Sequence, residues 1–211
     1  MRRIIAGLLL AAAAAQAADM LEFAGLRWRV PVAGDWKVET SGGVPVLSLL
    51  VPRPATQPRR PTQFALAGTP DYVKVTVELE VKKEPEAARK RRTSVILVYA
   101  WRDPDHFNYV HLSADSAKQT PHHNGVFHVD GADRVRISPL EGPGTLLTEE
   151  WHKVRLEWDG ATGKARAWVN GETSPSLAAA EPEFRSGKVG IGSFFDMGQF
   201  RRVRIQGTPA P

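Results

Sequence analysis

The sequence predicts an all-β protein, an antiparallel β-sandwich of about a dozen strands. Three observations indicate this class. Short runs of β-branched and aromatic residues recur along the chain, Gly, Pro, Asn and Asp separate them, and no segment carries a sustained helical stripe. The chain has 211 residues, of which 42% are hydrophobic and 24% charged, so it can bury an ample core. We therefore expect a single domain over residues 18–211.

The first predicted strands are short apolar runs in the N-terminal third of the chain. They are Leu26–Val30, Trp36–Thr40, Val44–Val51 and Gln63–Leu66. Between the last two lies Pro52–Pro61, a Pro- and Arg-rich segment that we interpret as an extended loop.

Two central segments predict different kinds of strand. In Tyr72–Val81 every second residue is Val or Leu and the others are polar or charged, which is typical of a strand with one wet face. Thr93–Trp101 is apolar at both parities and predicts a central strand covered on both faces. Phe107–Ser113 follows after the turn Arg102–Asp105 and alternates again.

The later strands are separated by turn-forming sequences. They are Val126–Val129, Val135–Ile137, Trp151–Trp158, Lys164–Asn170, Lys188–Gly192 and Gln199–Gln206. Two connections stand out. The charge run Lys82–Arg92 predicts a solvated loop, with a polyanion-binding edge as the alternative, and Ser174–Ser186 has the length to hold one helical turn.

The N-terminus has the three parts of a secretory signal peptide. Arg2 and Arg3 precede an apolar run from Ile4 to Ala15, and Ala15-Gln16-Ala17 forms a cleavage site, so residues 1–17 predict export to a periplasm or the exterior. The run is too short for a membrane span. The chain has no cysteine, which excludes disulfides, Cys-ligated metals and a thiol nucleophile. Its formal charge is +5, and without Arg2 and Arg3 of the signal peptide 26 basic residues face 23 acidic ones, a mild excess of +3 that does not indicate nucleic-acid binding.

Strand motifs of one recognisable kind occur at Val98–Val110, Glu149–Leu156, Trp168–Gly171, Gly187–Gly192 and Val203–Ile205. They include Tyr-Ala-Trp-Arg-Asp before a turn, Trp-His-Lys-Val-Arg-Leu, Trp-Val-Asn-Gly and Gly-Lys-Val-Gly-Ile-Gly. Together they resemble the strands of concanavalin A-like and laminin G-like sandwiches. The opening, Trp28–Val51, resembles the bacterial 3-keto-disaccharide hydrolase domain family. The likeness spans most of residues 20–207 and implies a jelly roll with a concave sugar-binding groove.

Five of the six histidines lie between His106 and His128, and they indicate one candidate site. Strand parity places Tyr109 and His111 opposite Val110 and Leu112, hence on the outer, concave face if the latter fill the core. His111 and His123 are the candidate catalytic bases. The candidate saccharide-binding residues are Tyr99, Tyr109, Asn124, His128, Arg134 and Arg136.

Metal and carboxylate chemistry are less well supported. His111 and His123 with an acid could bind a divalent ion, but no HxH or HExxH pair occurs. Asp103, Asp105 and Asp196 fall in predicted turns and are the calcium candidates. The sequence indicates no cofactor other than a divalent metal ion. The paired acids of a laminarinase-type glycosidase are absent.

Three functions remain open. The first is an exported domain that binds a carbohydrate in the groove. The second, implied by the family resemblance, is a 3-keto-glycoside hydrolase or lyase in which a histidine removes the proton beside the keto group. The third is a laminin G-like adhesive module whose partner is a protein or an anionic polysaccharide.

Overall fold

The computed structural model describes residues 19–211, and the signal peptide expected at residues 1–17 lies outside them. The described chain forms fifteen strands, a 3₁₀ turn at Ala33–Asp35 and a short helix α1 (Glu86–Arg89). The strands are β1 (Asp19–Phe23), β2 (Leu26–Val30), β3 (Trp36–Ser41), β4 (Val44–Leu49), β5 (Gln63–Ala67), β6 (Tyr72–Lys83), β7 (Ser94–Asp103), β8 (His106–Ser113), β9 (Gly125–Asp130), β10 (Val135–Arg136), β11 (His152–Asp159), β12 (Lys164–Val169), β13 (Leu177–Ala180), β14 (Lys188–Ser193) and β15 (Gly198–Pro209).

The strands form two antiparallel sheets that pack face to face. The eight-stranded sheet has the order β1-β2-β5-β14-β7-β8-β9-β10, and the seven-stranded sheet has the order β13-β12-β11-β6-β15-β4-β3. The all-β sandwich class predicted from the sequence is confirmed. No helix of the described residues is long and apolar enough to cross a membrane.

The main core lies between the sheets and is built by period-two alternation. In β6, Val75, Val77 and Leu79 point inward, and their cross-strand neighbours on β11 include Leu156 and Trp158. All five side chains are buried. Because a strand turns successive side chains to opposite faces, the polar residues between them stay on the outer, solvated face.

A second apolar layer covers the outer face of the eight-stranded sheet. Its members are Phe64, Leu66, Ile96, Val98, Trp101, Phe107, Tyr109, Phe127, Val129 and Phe194. Ile96 and Val98 of β7 belong to this layer, whereas Val95, Leu97 and Tyr99 belong to the main core. Burial at both parities of β7 confirms the prediction that it is covered on both faces.

A segment that we call the strap, Pro52–Pro61, lies against this second layer. Near its start, Arg53 forms a bidentate ion pair with the buried Asp35, with a distance of 2.8 Å from Nη2 to Oδ1. Near its end, the Arg59 amide donates to Asp133 Oδ1 at 2.7 Å, and Arg60 pairs with Asp105. The strap is therefore attached at both ends to the loops around the eight-stranded sheet.

Three local expectations need correction. The sequence does not predict β1, which pairs with β2. The connection Ser174–Ser186 forms the edge strand β13 instead of a helical turn, because its Ala run pairs with β12. The Lys82–Arg92 run is only partly solvated. Lys83 and Glu84 are buried, and the Lys83 ammonium donates to Glu86 at 2.7 Å.

Candidate functional site

Tyr109 and His111 lie on the outer face of the eight-stranded sheet, as strand parity indicates. The Tyr109 ring stacks on Phe127 of the adjacent strand, with centroids 5.3 Å apart and planes 16° apart. The His111 ring meets Phe127 edge-on. Both Tyr109 and His111 are almost fully buried, so neither offers an open surface for stacking.

His123 connects this layer to solvent. Its ring centroid lies 5.1 Å from that of His111, and its Nδ1 lies 3.0 Å from both carboxylate oxygens of Asp115. Burial would raise the pKa of Asp115, but hydrogen bonds from Thr120 and Ser113 and the His123 ring lower it. Asp115 is therefore a carboxylate that accepts the Nδ1 proton of His123 and leaves its Nε2 as the basic atom.

His111 behaves differently from His123. Burial is the main cause that holds the pKa of His111 well below its ordinary value, and the neighbouring His123, Arg134 and Arg136 lower it further. The ring is thus neutral, and its Nδ1 has no hydrogen-bond partner among the described residues.

Three arginines surround Tyr109 on this face. Arg134 Nη1 donates to the Tyr109 hydroxyl at 2.9 Å, and its guanidinium stacks on Phe127. Arg136 stacks on the same ring at 5.0 Å and donates to the Ser138 hydroxyl. Burial raises the pKa of the Tyr109 hydroxyl well above its usual value, and Arg134, Arg59 of the strap and Arg136 partly oppose this.

Gly125 makes room for one of these arginines. A Cβ at this position would lie 2.1 Å from Nη1 of Arg136. The absence of a side chain at the start of β9 is therefore what lets the guanidinium lie flat against the sheet.

Asn124 has a structural role in the loop before β9. It is fully buried with φ of 42°, its Nδ2 donates to the Pro143 carbonyl, and its Oδ1 accepts from Thr145 at 2.7 Å. With both amide ends occupied, it has little left to offer a ligand.

Tyr99 and His128 do not join this face, and the expectation that they converge with Tyr109 is wrong in position. Tyr99 pairs across the sheet with Asn108, and Asn108 pairs with His128, so all three point between the sheets. The Tyr99 ring packs on Trp158 in the main core. Alternation along β7 and β8 separates them from Tyr109.

His128 instead belongs to a polar cluster at the open edge of the sandwich. Its Nδ1 lies 2.8 Å from Asn108 Oδ1, and its Nε2 lies 3.9 Å from Glu183. One ligand atom each from His128, Asp130 and Glu183 lies within 4.8 Å of the others, so these residues could hold a metal ion. Both carboxylates are exposed.

The three calcium candidates do not form one site. Asp103 ends β7 and binds His106 at 2.8 Å, and Asp105 pairs with Arg60 in the following turn. Asp196 lies near the start of β7, where its buried carboxylate accepts from Ser94 and Arg91. About 30 Å of extended strand separates the two ends.

A pocket that was not predicted from the sequence lies on the outer face of the eight-stranded sheet, beside the end of the strap. It has a volume of ≈ 270 Å³, its walls include Phe64, Leu66 and Pro104, and Trp101 and Arg60 supply polar groups. Trp101 is 8% exposed, and its indole Nε1 and the Nη1 of Arg60 have no hydrogen-bond partner within the described part of the chain. We call it the Trp101 pocket.

Trp101 reaches the outer face because of a break in β7. Ala100 has φ of 50°, and the pairing with β8 shifts register after Tyr99. Without the bulge, Tyr99 and Trp101, two residues apart, would lie on the same face of the strand. The bulge breaks this alternation, so Trp101 joins the second layer although Tyr99 faces the core. The turn signal after Asp103 was visible in the sequence, but the bulge was not.

The outer face of the seven-stranded sheet has a shallow trough as well. Its volume is ≈ 560 Å³, and its lining includes Glu78, Arg155, Arg202 and Trp168. Arg155 and Arg166 stack on Trp168, and both pair with Glu157.

No protein-family model and no curated protein matches the chain. Among solved structures, the carbohydrate-binding module CBM66 from Bacillus subtilis is 12% identical, with 82% of this chain and 96% of that chain aligned at a TM-score of 0.57. Lectin I from Ulex europaeus is 11% identical, covering 80% and 90% with a TM-score of 0.47. The alginate lyase AlgAT5 of polysaccharide lyase family 7 is 16% identical, covering 83% of each chain with a TM-score of 0.48. The likeness to the CBM66 module, together with the two packed antiparallel sheets, shows a concanavalin A-like β-sandwich fold.

Proposed function

We propose that this protein binds a saccharide on the outer face of the eight-stranded sheet, with one sugar ring in the Trp101 pocket. The carrying observation is an apolar pocket whose lining includes Trp101 and Arg60, each of which has a buried donor, Nε1 and Nη1, without an acceptor among the described residues. A buried donor left unpaired costs about 1–3 kcal/mol. A sugar ring would lay its C–H surface on Phe64 and Leu66, and a small shift of the Trp101 or Arg60 side chain would let a hydroxyl accept from the unpaired donor.

The fold supports this proposal. A carbohydrate-binding module shares the fold, but one fold hosts many functions, so the assignment depends on the pocket. The signal-peptide pattern of residues 1–17 supports a second part of the proposal, that the protein meets its saccharide outside the cytoplasm.

The test is an affinity panel by isothermal titration calorimetry. The probes are hexasaccharides of β-glucan, xylan and fructan together with an oligogalacturonate. We expect one class to bind, and Trp101→Phe, which keeps the ring and removes the N–H, to weaken it about tenfold. The matched control is Trp168→Phe on the opposite sheet, which should bind like the wild type. An equal loss in both variants, or a loss only in Trp168→Phe, would contradict the proposal.

A second candidate function is supported by the Asp115–His123 pair. We propose His123, oriented by Asp115, as a general base that removes the proton beside the keto group of a 3-keto-glycoside. The C1–O bond would then break by elimination, the leaving oxygen would take the proton from the protonated His123, and the positive charges of Arg134 and Arg136 would stabilise the enolate that forms before it. His111 is buried behind His123, so it supports the ring and does not meet the substrate.

This candidate is tested by following a 3-keto-disaccharide by chromatography. We expect turnover that is abolished by His123→Ala and reduced by Asp115→Asn, while His122→Ala, a change at the exposed neighbouring histidine, retains it. Saccharide binding without turnover by the wild type would reject the enzyme and leave the binding function intact.

A further inference from the structure

The guanidinium groups on the outer face of the eight-stranded sheet differ in whether an acid neutralises them. Around the strap, four arginines each meet a carboxylate: Arg53, Arg60, Arg89 and Arg91. Arg59, Arg134 and Arg136 have no carboxylate partner within ion-pair distance among residues 19–211. We call these three the arginine cluster.

The cluster is held in place by aromatic rings. Arg59 and Arg134 both lie over Phe194, at 5.5 and 4.2 Å, and Arg134 shares Phe127 with Arg136. Two adjacent rings therefore hold three like charges side by side. Stacking leaves N–H donors on the edges of Arg59 and Arg134 for a ligand, whereas the donors of Arg136 are bonded to Ser138 and to backbone carbonyls, so Arg136 contributes its charge.

Each arginine is also fixed by a polar contact. Arg134 donates to Tyr109, Arg136 donates to the carbonyls of Pro121 and Pro139, and the backbone of Arg59 is bonded to Asp133. Burial, and after it the charges of Arg134, Arg59 and Arg136, lower the pKa of the nearby His122, so the positive field of the cluster extends to this side chain. Three fixed cations without an acid repel one another, and an anion among them would remove that repulsion.

The arginine cluster adjoins the Trp101 pocket, because two consecutive residues of the strap belong to the cluster and to the pocket wall. Arg60 lines the pocket, and the preceding residue, Arg59, lies over Phe194 in the cluster. A saccharide chain whose ring occupies the pocket can therefore place a neighbouring residue beside the cluster.

We propose that the arginine cluster binds the carboxylate or sulfate groups of an acidic saccharide. This inference rests on the proposed saccharide-binding function and names its substrate class. Guanidinium groups match carboxylate and sulfate oxygens with paired N–H donors, whereas a neutral sugar would leave the three charges uncompensated.

The experiment compares acidic saccharides with neutral partners of the same backbone. Calorimetry is done with oligogalacturonate and its methyl ester, and with dextran sulfate and dextran. We expect one acidic member to bind at least about tenfold more tightly than its neutral partner, with affinity that falls as salt rises.

Variants assign the effect to the cluster. Arg134→Gln should remove most of the preference for the acidic member, and Arg136→Gln, which deletes a charge whose N–H groups are already bonded, should remove part of it. The matched control, Arg166→Gln, deletes a guanidinium that stacks on Trp168 of the other sheet and should retain that preference. Arg59 is exposed, so Arg59→Gln keeps the test valid if a change at Arg134 prevents folding.

The outcomes separate this inference from the function on which it rests. If the neutral members bind as tightly as the acidic ones, the substrate class is overturned and saccharide binding stands. If inorganic sulfate raises the melting temperature of the wild type but no saccharide binds, both proposals are overturned. Equal binding of inorganic polyphosphate would also overturn the saccharide class, because it would reveal a site for any polyanion.

Discussion

The outer faces of the two sheets are built in opposite ways. On the seven-stranded sheet, charged side chains such as Glu78, Lys153 and Arg155 border an open trough. On the eight-stranded sheet, a layer that includes Phe107, Tyr109 and Phe127 is buried beneath arginines and the strap. One sheet therefore has a single apolar face, and the other has two.

The difference teaches where this sandwich can carry specific chemistry. A solvated face presents long, mobile charges that compensate one another, as in the pairs of Arg155 and Arg166 with Glu157. A second apolar layer excludes water and holds polar groups in fixed positions, so unpaired donors and unpaired charges persist there. The Trp101 pocket and the arginine cluster both lie on that layer.

The largest expected effect tests whether the second layer is a true core. Phe107→Ala should lower the free energy of unfolding by about 3–5 kcal/mol, because a fully buried ring is removed from packed surroundings. Lys153→Ala, on the outer face of the other sheet, should change it by less than about 0.5 kcal/mol. Urea unfolding of both variants measures the contrast. A loss below about 1 kcal/mol for Phe107→Ala would show that the layer is not packed.

A smaller effect concerns pH. Because burial lowers the pKa of His111 in the fold, the unfolded chain binds a proton that the native chain does not. Stability should therefore fall as pH decreases below about 6.5, by about 1 kcal/mol over the next unit. The groups that face His111 are His123, Arg134, Arg136, Tyr109 and Phe127, and none of them is acidic.

The measurement is denaturant unfolding at several pH values between 7.5 and 5.5, for the wild type and His111→Leu. The variant should lose most of this slope, whereas His122→Ala, at an exposed histidine whose pKa is also lowered, should lose less. A slope that is unchanged in His111→Leu would contradict the buried, neutral state of the ring.

The smallest effect tests the close approach of Arg136 to the sheet. Gly125→Ala puts a Cβ where the guanidinium now lies, so Arg136 should move and affinity for the acidic saccharide should fall severalfold, with little change in stability. Gly34→Ala, where a Cβ meets nothing within 4 Å, is the control. Calorimetry that shows equal affinity in both variants would exclude a role for this approach.

Strand patterns made most of the fold predictable, and the same patterns explain the errors at the site. Alternation correctly separated the half-exposed β6 from the doubly covered β7 and put Tyr109 and His111 on one face. The prediction put Tyr99 on the same face as Tyr109, whereas Tyr99 pairs with Asn108 and faces the core. Which face a residue of β7 shares with β8 depends on the register between the two strands, and that register is set by tertiary pairing.

Other features were beyond local patterns altogether. The strap reads as an ordinary Pro-rich loop, and its position over the sheet depends on distant partners such as Asp35 and Asp133. Trp101 faces the outer layer only because of the bulge at Ala100, and Phe194 joins that layer from a turn. A single sequence contains no periodic signal for contacts of this kind.

The most direct test of the account follows the indole N–H resonances of the six tryptophans by NMR during titration with the saccharide panel and the two acidic–neutral pairs. Trp101→Phe and Trp168→Phe assign the two signals of interest. We predict that a bound saccharide shifts the indole N–H resonance of Trp101, because this unpaired N–H gains an acceptor, and leaves the resonance of Trp168 unchanged. A shift of Trp168 with Trp101 unmoved, or no shift with any saccharide, would contradict it.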